Sequence, residues 1–133
     1  MSNSAAGGIY NYGAGTDNTG TDRAVGGLST GSANRTINVY VDLLNNGAGS
    51  ISAFTISYNV EKYRTGTNAA GFSIQMYYST NGTTWTSAGA NFLTSFAADA
   101  TTAGYATAPG VTSSVTSQSL STAVAPAAHL YLA

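Results

Sequence analysis

Alternating tyrosines and polar residues on three predicted strands form the strongest candidate for a binding surface. Successive side chains of a β-strand point to opposite faces, so residues two apart share a face. If the apolar residues face the core, the other face carries Tyr40, Asp42, Asn59, Tyr63, Gln75 and Tyr77. Tyrosine rings can stack on sugar C–H groups while neighbouring polar side chains bond to hydroxyls. The pattern therefore predicts glycan binding, and ordinary cross-strand pairing on a solvated sheet is the alternative.

Acidic residues on predicted strands come next, because paired carboxylates can hydrolyse glycosidic bonds. A glycosidase needs two facing carboxyl groups, one of which has a raised pKa. The chain has five Asp or Glu residues, and Asp42 and Glu61 are the only pair on predicted strands. His129 has no serine and aspartate arranged near it in sequence, so we expect it to be structural or solvent-facing. We expect no enzymatic activity, and hydrolysis by this carboxylate pair is the alternative.

Loop oxygens give a weaker signal for calcium, which takes about six to eight oxygen ligands. The oxygen-bearing loop residues are Asp17, Asn18, Asp22 and Asp99, and their spacing matches no calcium-loop motif. Asp and Asn also form turns, so the sequence predicts no cofactor, with calcium as the alternative. Glu61 is expected to form a structural ion pair with Arg64 or Arg23 at a sheet edge. The chain has no cysteine, which excludes disulfides, zinc–thiolate sites and thiol nucleophiles.

The composition indicates one domain, over residues 1–133, that works in contact with solvent. Charged residues make up 7%, against about 25% in average soluble proteins, and the net charge is −1. The chain therefore lacks the basic stripe of a nucleic-acid binder, and no apolar run reaches the roughly 20 residues of a membrane span. Low charge with abundant Gly, Ser, Thr and Asn favours a secreted protein of the extracellular surface. Residues 1–8 show no signal peptide, so we expect any such signal to have been removed or left out.

Period-two alternation of apolar and polar residues predicts an all-β chain. It is clearest over Thr36–Leu44, Ile51–Tyr63 and Phe72–Tyr78, where it indicates half-buried strands. The predicted core residues are Ile37, Val39, Val41, Phe54, Ile56, Tyr58, Phe72, Ile74 and Met76. Asn81-Gly82 predicts a hairpin with a type I′ turn. Trp85 is expected to pack at the edge of the fold, with ligand contact as the alternative. We expect an antiparallel β-sandwich with almost no helix.

The two ends of the chain suggest how it could associate. Residues 1–34 are rich in Gly, Ser and Thr, with one plausible strand at Ile9–Tyr12 that could serve as a donor arm. Val111–Val124 is a weakly patterned run, and Asn91–Phe96 fits either a strand or a helical turn. His129–Ala133 is a last apolar strand, and we expect its edge to be incomplete because no closing strand follows. The N-terminal arm of a neighbouring chain could then pair with it.

Four segments together resemble a β-sandwich module of secreted bacterial multidomain surface proteins. These segments are Asp22–Gly26, Ile56–Arg64, Tyr78–Thr86 and Leu130–Ala133, in this order. The second and third are the distinctive ones. The resemblance implies a jelly-roll-like fold, similar to carbohydrate-binding modules, beside extracellular nucleases, glycoside hydrolases or sorting tails. Members of this family continue past the last segment with a tryptophan, an acidic loop and a closing strand, so we expect that strand to be missing or supplied by another chain.

Two functions from different classes agree with these observations. The first is a non-catalytic extracellular module for binding or adhesion, which could hold a glycan or cell-surface polymer on its tyrosine-bearing face. The second is a structural subunit of an extracellular filament or surface layer, which self-associates through edge strands. A monomer in gel filtration would favour the module, whereas fibres would favour the subunit.

Overall fold

A computed structural model describes residues 7–14, 20, 22–29 and 36–133. The predicted all-β class is confirmed: strands make up 58% of this part of the chain and helix 3%. The strands are β1 (Gly8–Ala14), β2 (Asp22–Leu28), β3 (Val41–Leu44), β4 (Ile51–Lys62), β5 (Arg64–Thr65), β6 (Phe72–Gln75), β7 (Tyr77–Ser79), β8 (Thr86–Ser87), β9 (Leu93–Phe96), β10 (Ala103–Gly104), β11 (Val111–Val124) and β12 (His129–Leu132). A single 3-10 turn, Ala90–Phe92, precedes β9, so the segment 91–96 holds both of the structures that its sequence allowed.

The chain is organised in two compact units. The first unit comprises residues 1–39, 60–72 and 97–112, and the second comprises residues 40–59, 73–96 and 113–133. The prediction of one domain concerns the whole of residues 1–133 and stays a prediction.

In the first unit, β1 and β2 form an antiparallel hairpin. Their register runs from Gly8 opposite Leu28 to Ala14 opposite Asp22. The strand predicted at residues 9–12 is therefore present, and it pairs within its own chain. A short second pair joins β5 to β10.

The second unit contains a sandwich-like core. Its largest sheet has four antiparallel strands in the order β3-β12-β7-β8, and β4 pairs with β11. The buried cluster takes residues from both sheets, from the 3-10 turn and from the break between β6 and β7: Met76, Phe92, Val115, Leu120, Val124 and Leu130. Phe54, Ile56 and Tyr58 of β4 pack against it as predicted, and the residues between them are exposed. Burial of these apolar side chains is the main favourable contribution to folding.

A bulge in β11 explains why its sequence shows no simple alternation. Val115 is buried, but the next buried positions are Leu120 and Val124, so the inward side switches from odd to even numbers. Ser117 lies between the two patterns with φ of 50°, and its backbone N–H donates to Ser57 Oγ at 2.8 Å. An extra residue with such a backbone conformation is the signature of a β-bulge.

The prediction that Val39 and Val41 are buried in the core is wrong, whereas Ile37, the third residue of this predicted set, is half-buried and belongs to the first unit. Strand β3 begins at residue 41 rather than 36, and Val39 and Val41 are 44% and 46% exposed. The direction is as predicted, because Leu43 pairs with the buried Leu130 and therefore shares its face. These side chains are exposed because β3 lies at the end of its sheet, with β12 as its one neighbour among the described strands.

The strand predicted over residues 72–78 is interrupted at Met76. Its first part, β6, pairs with β9, whereas its second part, β7, pairs with β12 and β8. Alternation therefore does not continue through the segment, and Ile74 and Tyr77 are equally exposed at 42%. Phe72 is also exposed, at 38%, so of the three predicted core residues only Met76 is buried.

The predicted hairpin forms, but its turn differs from the prediction. Strands β7 and β8 are antiparallel, with Tyr78 opposite Thr86. Residues 80–85 connect them, and Gly82 has φ of 73° while Asn81 is not among the residues with positive φ. A type I′ turn needs positive φ at both central positions, so this part of the prediction is wrong.

The prediction of an incomplete edge at residues 129–133 is also wrong. Strand β12 lies inside the four-stranded sheet, with β3 on one side and β7 on the other. Tyr131 pairs with Asp42 of β3 and with Ser79 of β7. Beyond the strand, Ala133 exchanges two backbone hydrogen bonds with Tyr77, of 2.8 and 2.9 Å. The sequence could not show this, because pairing partners are distant in the chain.

Candidate functional site

One face of the four-stranded sheet gathers aromatic side chains with a carboxylate and an imidazole. Leu130, Leu132 and Tyr78 point to the core, so the residues alternating with them lie on the opposite face. That face carries Tyr40, Asp42, Tyr77, His129 and Tyr131, and Trp85 joins it by contact with Tyr40. We refer to these six residues as the aromatic face. All of them belong to the second unit.

Tyr40 and Trp85 form the largest ring pair of the aromatic face. Their centroids are 5.5 Å apart and their planes are inclined by 54°, a tilted arrangement that aromatic pairs favour. Tyr40 is 62% exposed and Trp85 is half-buried. The pair therefore presents ring surface to solvent from a position that packing partly fixes.

An ordered loop holds Trp85 in place. Asn81 Oδ1 accepts hydrogen bonds from the backbone N–H groups of Thr83 and Thr84, at 2.9 and 2.8 Å. Gly82 has a positive φ, and a Cβ atom there would lie 3.5 Å from the Tyr131 ring. A side chain at this position would be strained by the backbone and would touch the aromatic face. The sequence Asn81-Gly82 thus serves the site as well as the turn.

Asp42 and His129 form a bonded pair in the same face. His129 Nδ1 lies 2.6 Å from Asp42 Oδ1, so an N–H at that nitrogen donates to the carboxylate. The imidazole stacks on the Tyr131 ring, with centroids 5.6 Å apart and planes within 9°. Both side chains stay accessible, at 53% for Asp42 and 41% for His129. The arrangement orients a carboxylate beside an aromatic ring on an open surface.

The aromatic face carries the only charged side chain of the second unit. Of the four Lys or Arg and five Asp or Glu residues of the chain, Asp42 alone falls within residues 40–59, 73–96 and 113–133. The single histidine of the chain lies in the same unit. The one charged side chain of the second unit is therefore bonded to its one imidazole, within the aromatic face.

The structure brings together three of the six residues predicted from the sequence: Tyr40, Asp42 and Tyr77. Asn59 lies instead on β4, where its Oδ1 accepts a hydrogen bond from Ser114 Oγ at 2.8 Å. Gln75 is half-buried, and its Nε2 donates to the carbonyls of Met76 and Gly89. These two side chains have local partners outside the aromatic face.

The prediction that Tyr63 points outward is wrong. It lies in the first unit, is 8% exposed, donates from its hydroxyl to Glu61 Oε2 at 2.7 Å, and stacks on Tyr12 at a centroid distance of 5.0 Å. Burial and the hydrogen bond to Glu61 raise the pKa of Tyr63. Residue 63 follows the last residue of β4, so the strand's alternation no longer decides its direction.

Trp85, His129 and Tyr131 complete the aromatic face, although none was predicted to bind ligand there. Trp85 was expected to pack at an edge, which left ligand contact as the alternative. His129 and Tyr131 share a face by the same period-two rule that selected Tyr40 and Asp42. The missing information was that β12 lies directly beside β3.

The remaining charged residues form a different pattern from the one predicted. Among the described residues, Lys62 forms an ion pair with Asp99: their Nζ and Oδ1 atoms are 2.6 Å apart, and the side chains are 7% and 11% exposed. Glu61 accepts from Tyr63, so the described contacts of Glu61 include no pair with arginine. Asp42 and Glu61, the carboxylates weighed for hydrolysis, belong to different units and have separate partners.

The described residues contain no group of three or more His, Cys, Asp or Glu side chains that could hold a metal ion. Asp17 and Asn18, considered for calcium, lie outside the described residues. Asp99 is engaged by Lys62 and by the backbone N–H of Gly66. In the described part of the chain, no helix is both long enough and apolar enough to cross a membrane.

Comparison with known proteins gives no relative: no family, no curated protein and no solved structure matches this chain. The resemblance drawn from four sequence segments therefore stays a prediction. The aromatic face has to be interpreted from its own residues.

Proposed function

We propose that the chain is a non-catalytic glycan-binding module and that the aromatic face is its binding surface. One observation carries the proposal: two exposed tyrosines and the only tryptophan share a sheet face with the one bonded carboxylate–imidazole pair of the unit. Aromatic rings offer flat apolar surface to the C–H groups of a sugar. The carboxylate and imidazole offer directed hydrogen bonds to its hydroxyls. Apolar surface with a few placed polar groups is the general composition of ligand sites.

The spacing of the rings suits an extended ligand. Tyr40 precedes Val41, which pairs with Leu132, and Ala133 bonds to Tyr77. Tyr40 and Tyr77 therefore lie at the same level of the sheet, separated by strand β12, with their backbones roughly 10 Å apart. The small side chain of Ala133 lies between them in the register. Two separated rings on an open face favour a chain of sugars over a single enclosed one.

We further propose that the module acts outside the cell. A charged fraction of 7% and a sequence rich in Ser, Thr and Asn support this, as does the resemblance to modules of secreted bacterial proteins. Strand donation, the alternative function, has less support. The arm around Ile9–Tyr12 pairs with β2 in its own chain, and β12 has a neighbour on each side.

Binding to a panel of immobilised polysaccharides tests the proposal. The wild-type chain should be retained by at least one of them, and Trp85→Ala combined with Tyr40→Ala should weaken retention about tenfold or more. Each ring that stacks on a sugar is expected to contribute on the order of 1 kcal/mol, similar to a pair of aromatic side chains. Leu93→Ala is the matched control, because it removes a 45% exposed apolar side chain of the same unit away from the face. Equal loss in control and double variant would contradict the proposal.

A further inference from the structure

We infer that the aromatic face prefers sugars that carry a free ammonium group, with Asp42 as the counter-charge. This inference rests on the proposed glycan-binding function and specifies its ligand class. It begins from the charge distribution, in which Asp42 is the one Asp, Glu, Lys or Arg side chain of the second unit.

Asp42 is equipped to receive a cation. Its Oδ1 is held by His129 at 2.6 Å, which fixes the side chain. No described residue donates to Oδ2, and the side chain is 53% exposed. One carboxylate oxygen therefore remains open to a ligand while the other anchors the group. A preorganised carboxylate loses less conformational entropy on binding than a freely rotating one.

The aromatic rings beside Asp42 also favour the binding of a cation. Tyr131 lies directly opposite Asp42 in the register, and Tyr40 lies two residues before it on the same face. Aromatic faces attract cations through their quadrupole. An ammonium group placed at Asp42 would thus lie near both a carboxylate and aromatic rings. A neutral sugar gains only the stacking and hydrogen bonds.

An acidic sugar meets the opposite situation. Residues 40–59, 73–96 and 113–133 contain no Lys or Arg, so this unit offers no permanent cation to a uronate or sulfate group. Asp42 would repel such a group at short range, as like charges do. The same face therefore discriminates between sugars by the sign of their charge.

Two oligosaccharide series that differ in one group provide the test. Glucosamine oligomers carry ammonium groups, whereas the matching N-acetylglucosamine oligomers carry neutral amides on the same rings. At a pH at which the amine is protonated, titration calorimetry should give the glucosamine oligomer about five- to tenfold tighter binding, from one exposed ion pair and one cation–aromatic contact. Oligogalacturonate should bind more weakly than both.

Variants of the bonded pair separate the contributions. Asp42→Asn should bring the ratio of the two affinities close to one while the acetylated oligomer still binds. His129→Asn should keep the direction of the preference but reduce its size, because it leaves the carboxylate in place and removes the bond that fixes it. The preference of the wild-type chain should also shrink as salt is raised, since charge pairs at a surface are screened. This last measurement does not depend on any variant being folded.

The outcomes distinguish this inference from the function on which it rests. Equal affinity for both oligomers, a preference that survives Asp42→Asn, or strong binding of oligogalacturonate would overturn the inference and leave glycan binding intact. Failure of every saccharide to bind would overturn the proposed function. Capture of polylysine in the absence of any saccharide binding would assign the face to protein cations and overturn both.

Discussion

Single residues decide the chemistry of this chain because charges are so few. Asp42 and Asp99 have the same side chain but differ in exposure and in bonding partners. Asp42 is half exposed beside a histidine on an open aromatic face, whereas Asp99 is nearly covered and bonded to Lys62. The first arrangement leaves an oxygen for a ligand. The second has both carboxylate oxygens bonded within the chain, by Lys62 and Gly66, so it serves the fold.

Asp99 should make the first unit less stable at low pH. The hydrogen bond from Lys62 holds the pKa of Asp99 below its usual value. A carboxyl group with a lowered pKa in the folded state stabilises the fold above its unfolded pKa, about 3.9, and this stability is lost as the pH falls through the folded pKa. Urea unfolding followed by circular dichroism should therefore show the free energy of unfolding falling as the pH drops below about 3.9.

Two variants check that the acid effect belongs to this pair. Asp99→Asn should lower stability at neutral pH and flatten the acid limb, because residue 99 no longer titrates. Lys62→Met should flatten the same limb, since the pKa of Asp99 then loses its main cause of depression. An unchanged acid limb in both variants would show that other groups are responsible.

At the scale of elements, alternation in the sequence correctly predicted which side chains of a strand point inward wherever the strand is regular. The inward set of β4, including Phe54, Ile56 and Tyr58, follows directly from period two. The same rule failed in β11, where the bulge at Ser117 reverses the pattern, and at Met76, where one run divides between two sheets. These interruptions depend on strand pairing over long sequence distances, which the local pattern does not contain.

The β11 bulge gives a prediction of its own. Ser117 has φ of 50°, a conformation that β-branched residues adopt only under strain. Ser117→Val should therefore destabilise the protein by roughly 1–3 kcal/mol. Ser119→Val, at an exposed position of the same strand, should change stability by less than about 0.5 kcal/mol. Chemical denaturation measures both, and similar losses in the two variants would show that the bulge conformation carries no strain.

At the scale of the molecule, the two units divide the charges unequally. All four Lys and Arg residues fall in the sequence stretches of the first unit, whereas the second has Asp42 alone. The sequence supplied the all-β class and half of the aromatic face. The other half, His129, Tyr131 and Trp85, depended on the position of β12 between β3 and β7. An apolar segment at residues 129–133 looked like an unprotected edge, and its actual place is inside the sheet.

The central position of β12 predicts a large cost for shortening its core residue. Leu130 is 1% exposed and belongs to the buried cluster, so Leu130→Ala should destabilise the second unit by about 2–5 kcal/mol. Val41 is on the same side of the sheet but 46% exposed on the edge strand, and Val41→Ala should cost less than about 1 kcal/mol. Trp85, the one tryptophan, lies in this unit and reports its unfolding by fluorescence. An edge-strand β12 would instead make the two costs similar, because both side chains would then be only half covered.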